Sequence, residues 1–320
     1  MGKWFTIIWP NNYDNRFGDE MLIIVGYIVI LLCVFGGFAL SGGHLAAVFQ
    51  PLELLIIGGA ALGAFIVGNS MTVIKSVFKA LPGVFRGQKS ARAMSVDLLA
   101  LLYNLLNKAR QQGLMSLESD IDEPEKSAIF SSYPNLMAKH HVIEFICDYL
   151  RLIITSNMQP FQLEALMDME IESHHEEEMI PPNAISKVAD AMPAFGIVAA
   201  VLGVVHTMES ISLPPSELGV LIAHALVGTF LGILIGYGFV GPVATAMEQR
   251  ANQTQLMLQC IKVTILASLH NNPPIIAVEF GRKVLFSAER PSFNQLNDEI
   301  KNAKPAASAA APESAEPAAS

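Results

Sequence analysis

A chain of 320 residues with 52% hydrophobic and only 15% charged residues falls well short of the roughly one-quarter charge of an ordinary soluble domain. That balance points to a membrane protein with a sizeable soluble part, and a net charge of −9 argues against nucleic acid as a partner. Cys33, Cys147 and Cys260 are far apart, form neither a disulfide framework nor a metal spacing, and read as packing residues.

Residues 1–20 precede the first apolar span. Their apolar run, residues 4–9, is too short for a signal peptide, so they read as an N-terminal extension with Met21 the expected initiator. A transmembrane helix needs about 20 apolar residues. Four stretches supply them: 21–41, 54–74, 191–208 and 218–247. The last is uncharged for 30 residues, about 45 Å as a helix and more than a bilayer core needs, and Pro242 is where it is expected to bend or leave. Glu53 reads as a helix-start carboxylate favoured by the helix dipole. Gly58, Gly59, Gly63 and Gly68 permit close helix contact in the second span.

Lys and Arg are absent from the connections 42–51 and 209–217. They gather instead at Lys75, Lys79, Arg86, Lys89 and Arg92, and again at Arg250, Lys262, Arg282 and Lys283. The positive-inside rule then places both termini and the middle segment in the cytoplasm. That segment, 75–188, reads as a helical domain. Its helix 91–112 ends at Arg110 and is capped by Gly113; an acidic connector, a turn at 132–135 and helices over 142–155 and 159–181 follow. His174, His175, Glu176, Glu177 and Glu178 have no metal-site spacing and read as a solvated face. Residues 248–303 continue as helices, and the Ala/Pro/Ser/Glu-rich tail 304–320 reads as disordered. The predicted fold is an all-α integral membrane protein: transmembrane helices 1 and 2 in 21–74, a large helical cytoplasmic domain, then transmembrane helices 3 and 4 in 189–247.

No nucleotide, nucleophile or metal motif is present, so neither an enzyme nor a cofactor is expected. The informative pattern lies in the third and fourth spans. Gly196, Ala199, Ala200 and Gly203 share one helix face, and Gly228, Gly232 and Gly236 form two overlapping GxxxG units. Packing within one subunit is one reading of these small faces; a seat for a partner's transmembrane helix is the other. The centres of the four spans carry no Asp or Glu. An ion relay through a membrane usually needs a buried carboxylate, so if ions pass here the acid comes from another chain. Asp190 reads as a helix-start residue or a cytoplasmic exit, and His206 and His224 as packing residues or relays.

The runs MLIIVGYIVILLCVFGGFALSGGHLAAVFQPLELLIIGGAALGAFIVGN, DLLALLYNLLNKARQQGLMSLESDI, MPAFGIVAAVLGVVHTM, IAHALVGTFLGILIGYGFVGPVA and IAVEFGRKVLFSAERPSF resemble the MotA family of flagellar stator subunits, over about residues 21–296. The resemblance implies a motor in the bacterial inner membrane that couples proton flow to torque. It implies a homo-oligomer, a five-fold ring around a MotB-like partner that anchors to peptidoglycan and supplies the ion-binding Asp. It assigns Pro193 and Pro242 to shaping and coupling the inner helices, and Arg110 and Glu118 to contact with the rotor's switch protein. Ala200, where sodium-driven relatives tend to carry Thr, implies protons; Thr229 keeps one hydroxyl near the path. A related energiser of the ExbB/TolQ type and a non-conducting membrane scaffold are the competing readings. The two spans ahead of the soluble domain argue against the first.

Overall fold

The structure, a computed structural model, describes residues 19–85, 91–156 and 158–302, and every regular element among them is helical. The extension before Asp19, the tail from residue 304, Arg86 and Lys89 lie outside the described residues. Four helices are long and apolar enough to cross a membrane. The first, α1 (Asp19–Leu31), passes through a π-helical turn, Leu32–Gly36, into Gly37–Leu40. The second, α2 (Pro51–Gly68), opens on a proline whose missing N–H would have had no helical partner anyway.

α2 stops earlier than the predicted span 54–74. Asn69 is extended and Ser70 caps a new helix, α3 (Met71–Val84), by accepting from the Val73 N–H at 3.4 Å. The run stays uncharged across that break, so hydropathy merges two helices that a capping serine separates. In the middle of the chain, α4 (Ala91–Gln112) has the predicted bounds, and Gly113 after it takes a positive φ of 83°. The turn expected at 132–135 opens a one-turn helix, Pro134–Met137, and α5 (His140–Thr155) follows.

The predicted helix 159–181 and the third span are one helix, α6 (Pro160–Glu209), 50 residues long. Pro181, Pro182 and Pro193 lie inside it. Each removes one N–H donor and crowds the preceding turn. Pro181 and Pro182 are buried, so packing on neighbouring helices holds the axis where the local preference would end it. The fourth span is α7 (Pro215–Ile235), a π-helical turn Gly236–Val240, and α8 (Gly241–Leu269). α9 (Pro274–Val284) and α10 (Phe293–Asn302) complete the described chain.

Two compact units divide these helices, one of the described residues 19–85 with 175–252 and the other of those in 91–174 with 253–302. The boundaries expected at 75, 188 and 248 therefore shift, and the C-terminal helices join the middle block instead of standing apart. The reason is a shared core: Leu98, Leu99 and Leu102 of α4 pack with Phe145, Ile146 and Tyr149 of α5, Ile261 and Ile265 of α8, Val278 of α9 and Leu296 of α10. An apolar stripe on a helix must be covered, and here the stripes of segments distant in sequence cover one another. Cys147 lies in this core, where burial pushes its thiol up to about 12, and Cys260 is buried there too. Cys33, by contrast, is exposed in the π-helical turn that follows α1. Arg282 is buried, pairs with Glu279 at 2.6 Å and donates to the Pro291 carbonyl at 2.8 Å. Its guanidinium holds the Glu279 carboxyl below the usual carboxylate range.

The first unit has two apolar clusters. Phe65 of α2, Val77 and Val84 of α3, Ala184 and Ile185 of α6, and Val243 and Met247 of α8 form one. Ile57, Ala199 and Leu231 form the other. Arg250 donates to the carbonyls of Gly83 and Val84, closing the C-terminal end of α3.

Candidate functional site

The small faces of the third and fourth spans meet each other. A Cβ built on Gly232 would stand 2.6 Å from the Met192 carbonyl oxygen and 3.0 Å from Gly196 Cα. One on Gly196 would lie 2.9 Å from the Gly228 carbonyl oxygen and 3.2 Å from Gly232 Cα. Gly236 faces the Ala189 carbonyl at 2.5 Å and the Pro193 ring at 3.0 Å by the same measure, and Gly203 faces Ala225 at 2.6 Å. At Gly196 and Gly232 these are backbone-to-backbone approaches that no side chain fits, and at Gly203 and Gly236 the Ala225 methyl and the Pro193 ring help fill the space. The room that suggested a partner's helix is filled by α6 and α7 closing on one another within one chain. Ala225, outside the GxxxG register, joins this seam, as do Met192 and Ala189, without the glycine spacing revealing it.

The other predicted residues of this region join the same seam. Thr229 Oγ1 reaches the Gly196 carbonyl at 3.5 Å, a long bond across the pair, and Ala200 is half-buried with its backbone against Gly228. The outward face of α6 stays apolar and uncovered: Ile197, Val201, Leu202, Val204 and Val205 are exposed in the single chain. By contrast, Gly58, Gly59, Gly63 and Gly68 of α2 have nothing within 4 Å of a built Cβ, so the close contact expected there is not made within the chain.

Below the tight seam the fourth span changes character. Pro242 has no N–H to continue the ladder, and the turn ahead of it, Gly236–Val240, widens to π-helix. The Tyr27 hydroxyl of α1 donates to the Phe239 carbonyl at 2.9 Å, and the two rings lie 5.0 Å apart. Sequence reasoning missed Tyr27. The signal was available: it is the one phenol in an otherwise apolar span, and a buried tyrosine hydroxyl usually finds a partner. Tyr27→Phe keeps the ring contact and deletes the bond. It should lower stability in detergent by about 0.5–1.5 kcal/mol and speed amide exchange across residues 236–242; unchanged exchange there would show that the carbonyl is satisfied without Tyr27.

Beside this break lies a cavity of about 540 Å³, lined by Pro182, Ser186 and Asp190 of α6, Tyr237 of the π-turn, and Pro242, Thr245 and Glu248 of α8. Two predicted positions, Pro242 and Asp190, thus share one polar pocket with two carboxylates, while Pro193 sits one seam contact away at Gly236.

Arg110 and Glu118 belong to the other unit, and both are exposed. Arg110 is in the last turn of α4, and Glu118 opens the short helix Glu118–Asp122. Between them Leu117 is fully buried, and Asp120 is anchored by Lys108 at 2.6 Å and by the Ser127 hydroxyl at 2.6 Å. Arg151 donates to the Ile121 carbonyl at 3.2 Å and pairs with Asp122 at 3.1 Å. The two surface charges therefore stand on a turn fixed from beneath. Met115, at its tip, is 64% exposed and gives this charged surface an apolar centre.

Residues 24–113 match the family description Motility protein A N-terminal, and residues 137–259 match the MotA/TolQ/ExbB proton channel family. The chain is 55% identical to Motility protein A of Salmonella typhimurium over 281 residues, 88% of this chain and 95% of the relative. It is also 55% identical to Motility protein A of Escherichia coli over 284 residues, 89% of this chain and 96% of that one. In fold it is similar to a chain of the flagellar MotAB stator complex from Bacillus subtilis, with a TM-score of 0.65 at 20% identity, covering 88% of this chain and 98% of that chain.

Proposed function

The chain belongs to the MotA/TolQ/ExbB proton channel family, among its Motility protein A members, and from that premise we propose how this subunit works in a flagellar stator. It forms a proton channel with a MotB-like partner and turns ion flow into torque on the rotor. Several copies surround the partner, in a five-fold ring by analogy with the family. Both termini and the unit carrying α4, α5, α9 and α10 lie in the cytoplasm of a cell whose inner membrane holds α1, α2, α6 and α7. The Lys and Arg distribution supports that orientation.

One observation carries the mechanism: a backbone-tight seam sits directly above a helix break. From Gly203 to Gly236 the α6–α7 pair moves as one body because its contacts leave no room for added atoms and, at Gly196 and Gly232, are backbone on backbone. At Gly236–Pro242 the ladder is interrupted and a polar pocket opens. A change of charge at the partner's acid, next to the apolar outer face of α6, is then relayed as a tilt of the pair about Pro193 and Pro242. Asp190 and Glu248 in the pocket favour a cation leaving toward the cytoplasm. Ala200 offers no hydroxyl, which leaves Thr229, donating to the Gly196 carbonyl, as the hydroxyl of this seam; a sodium ion needs several oxygens in place of its hydration shell, and this supports protons as the coupling ion.

Co-expression with a MotB-like partner whose periplasmic plug is deleted tests the reading. Cells are expected to acidify and to grow poorly, and neither effect is expected when the partner's transmembrane Asp is replaced by Asn. Full assembly without acidification would assign the complex to a passive scaffold. Acidification with no motility in a stator-less host would assign it to an envelope energiser.

A further inference from the structure

Glu53 is not spent on its own helix terminus. It is the third residue of α2, and its side chain turns into the bundle against α7. A Cβ on Gly228 would stand 2.7 Å from Glu53 Oε2, so the glycine leaves a notch that the carboxylate occupies. Oε2 is buried and has no hydrogen-bond partner. The notch is completed by Ala199 Cβ and the Ala200 backbone of α6. Among the described residues, His224, one turn before Gly228 on α7, is the ionisable group close enough to act on it electrostatically. A carboxylate oxygen buried in a membrane bundle without a hydrogen bond is costly to keep charged, and a residue placed so is a candidate for the ion pathway.

Resting on the stator reading above, we propose that Glu53 and His224 form a proton-loading site contributed by this chain itself, at the outer end of the path and ahead of the partner's acid. A proton from the outer water binds the carboxylate oxygen, which is then neutral; transfer onward to water or to the partner's carboxylate restores the charge, so one proton enters and one leaves. His224, when protonated, stabilises the empty carboxylate and serves as the donor that refills it. The occupant is a proton and not a metal cation. The notch at Gly228 is otherwise walled by the Ala199 methyl and the Ala200 backbone, and among the described residues no group of three His, Cys, Asp or Glu side chains could hold a metal ion, whereas a hard cation needs several oxygens in place of its hydration shell.

The site therefore places an acid inside a chain whose span centres lack one, and it explains why Gly228 must stay small on the side facing α2. It also predicts a dependence on the outer pH, because loading requires a proton from that side. As the outer pH rises, fewer protons reach the carboxylate from that side and loading slows.

The test uses the assembled complex with the plug-deleted partner. Inward proton flux and motility are measured across outer pH for wild type, Glu53→Gln, Glu53→Asp and His224→Gln. Glu53→Gln should lower flux several-fold, most at alkaline outer pH; Glu53→Asp should keep most of it; His224→Gln should displace the pH dependence while the complex still assembles. Wild-type flux at every pH in Glu53→Gln overturns the proposal. If that variant does not co-purify with the partner, His224→Gln decides, and an unshifted profile overturns it. Loading is also read apart from transport, by infrared difference spectra of the purified complex across pH. A carboxylic-acid band that titrates in wild type should vanish in Glu53→Gln, and its persistence overturns the proposal. Absence of flux in the wild-type complex would count against the stator reading, while the infrared titration would still decide whether Glu53 takes up a proton.

Discussion

Gly232→Leu is expected to eliminate the folded subunit from the membrane and motility with it, and Gly232→Ala to destabilise it by about 1–3 kcal/mol as an overpacked contact. The expectation comes from what a side chain would meet. At Gly232 the neighbours are the Met192 carbonyl and Gly196 Cα, both backbone of α6, so relief requires the two helices to part along their length. Parting them also frees the Gly228 and Gly236 contacts, whose neighbours are the Ala199 methyl, the Ala189 carbonyl and the Pro193 ring. Gly63 of α2 is the control, because a Cβ there meets nothing within 4 Å and the site is exposed. Gly63→Ala should leave the level of membrane-inserted subunit unchanged. Equal membrane levels and equal thermal unfolding for Gly232→Leu and wild type would mean that the seam opens without cost and that the coupling argument built on its rigidity fails.

How much of this could be read from residues depends on which interaction decided each feature. The spacing of Gly196, Gly203, Gly228, Gly232 and Gly236 marks two faces that permit close approach. It does not say which two faces meet, because a partner's helix and the chain's own helix satisfy the same pattern. Ala225 and the Glu53 notch at Gly228 were illegible for the same reason: they depend on the register between helices that are far apart in sequence. Helix α4 was recovered with its bounds because its apolar repeat is long and Gly113 ends it with a positive φ. Helix α6 was cut at Pro181 because local propensity favours a stop there, and burial of Pro181 and Pro182 overrides it. The break at Asn69–Ser70 went the other way, a capping serine hidden inside an uncharged run. The joining of α9 and α10 with α4 in one core could not be read from composition, since it pairs segments more than 150 residues apart.

Charge reversal at the surface turn should separate rotor coupling from assembly. Arg110→Glu and Glu118→Lys are each expected to cut torque strongly while leaving membrane level, partner binding and proton leak unchanged. Neither residue supports the fold. Both are exposed, and the turn they stand on is held by buried Leu117, by Asp120 with Lys108 and Ser127, and by Arg151. Surface changes away from such anchors usually alter stability by no more than about 0.5 kcal/mol. A reversed charge at a docking surface acts differently: it replaces an attraction with a repulsion, so reversal should do more harm than truncation to alanine. The pair is solvent-exposed, so raised ionic strength should narrow the gap between reversed and alanine variants. Met115→Ala provides the apolar counterpart, since Met115 is the exposed tip between the two charges; a torque defect that salt does not relieve would place it in the same contact. Tethered-cell rotation at graded load checks the set, with membrane fractionation as the assembly control. Wild-type torque in both reversals would remove this turn from the rotor interface and move the search to other exposed surfaces of the unit, such as Phe280 of α9 and Phe286 just after it.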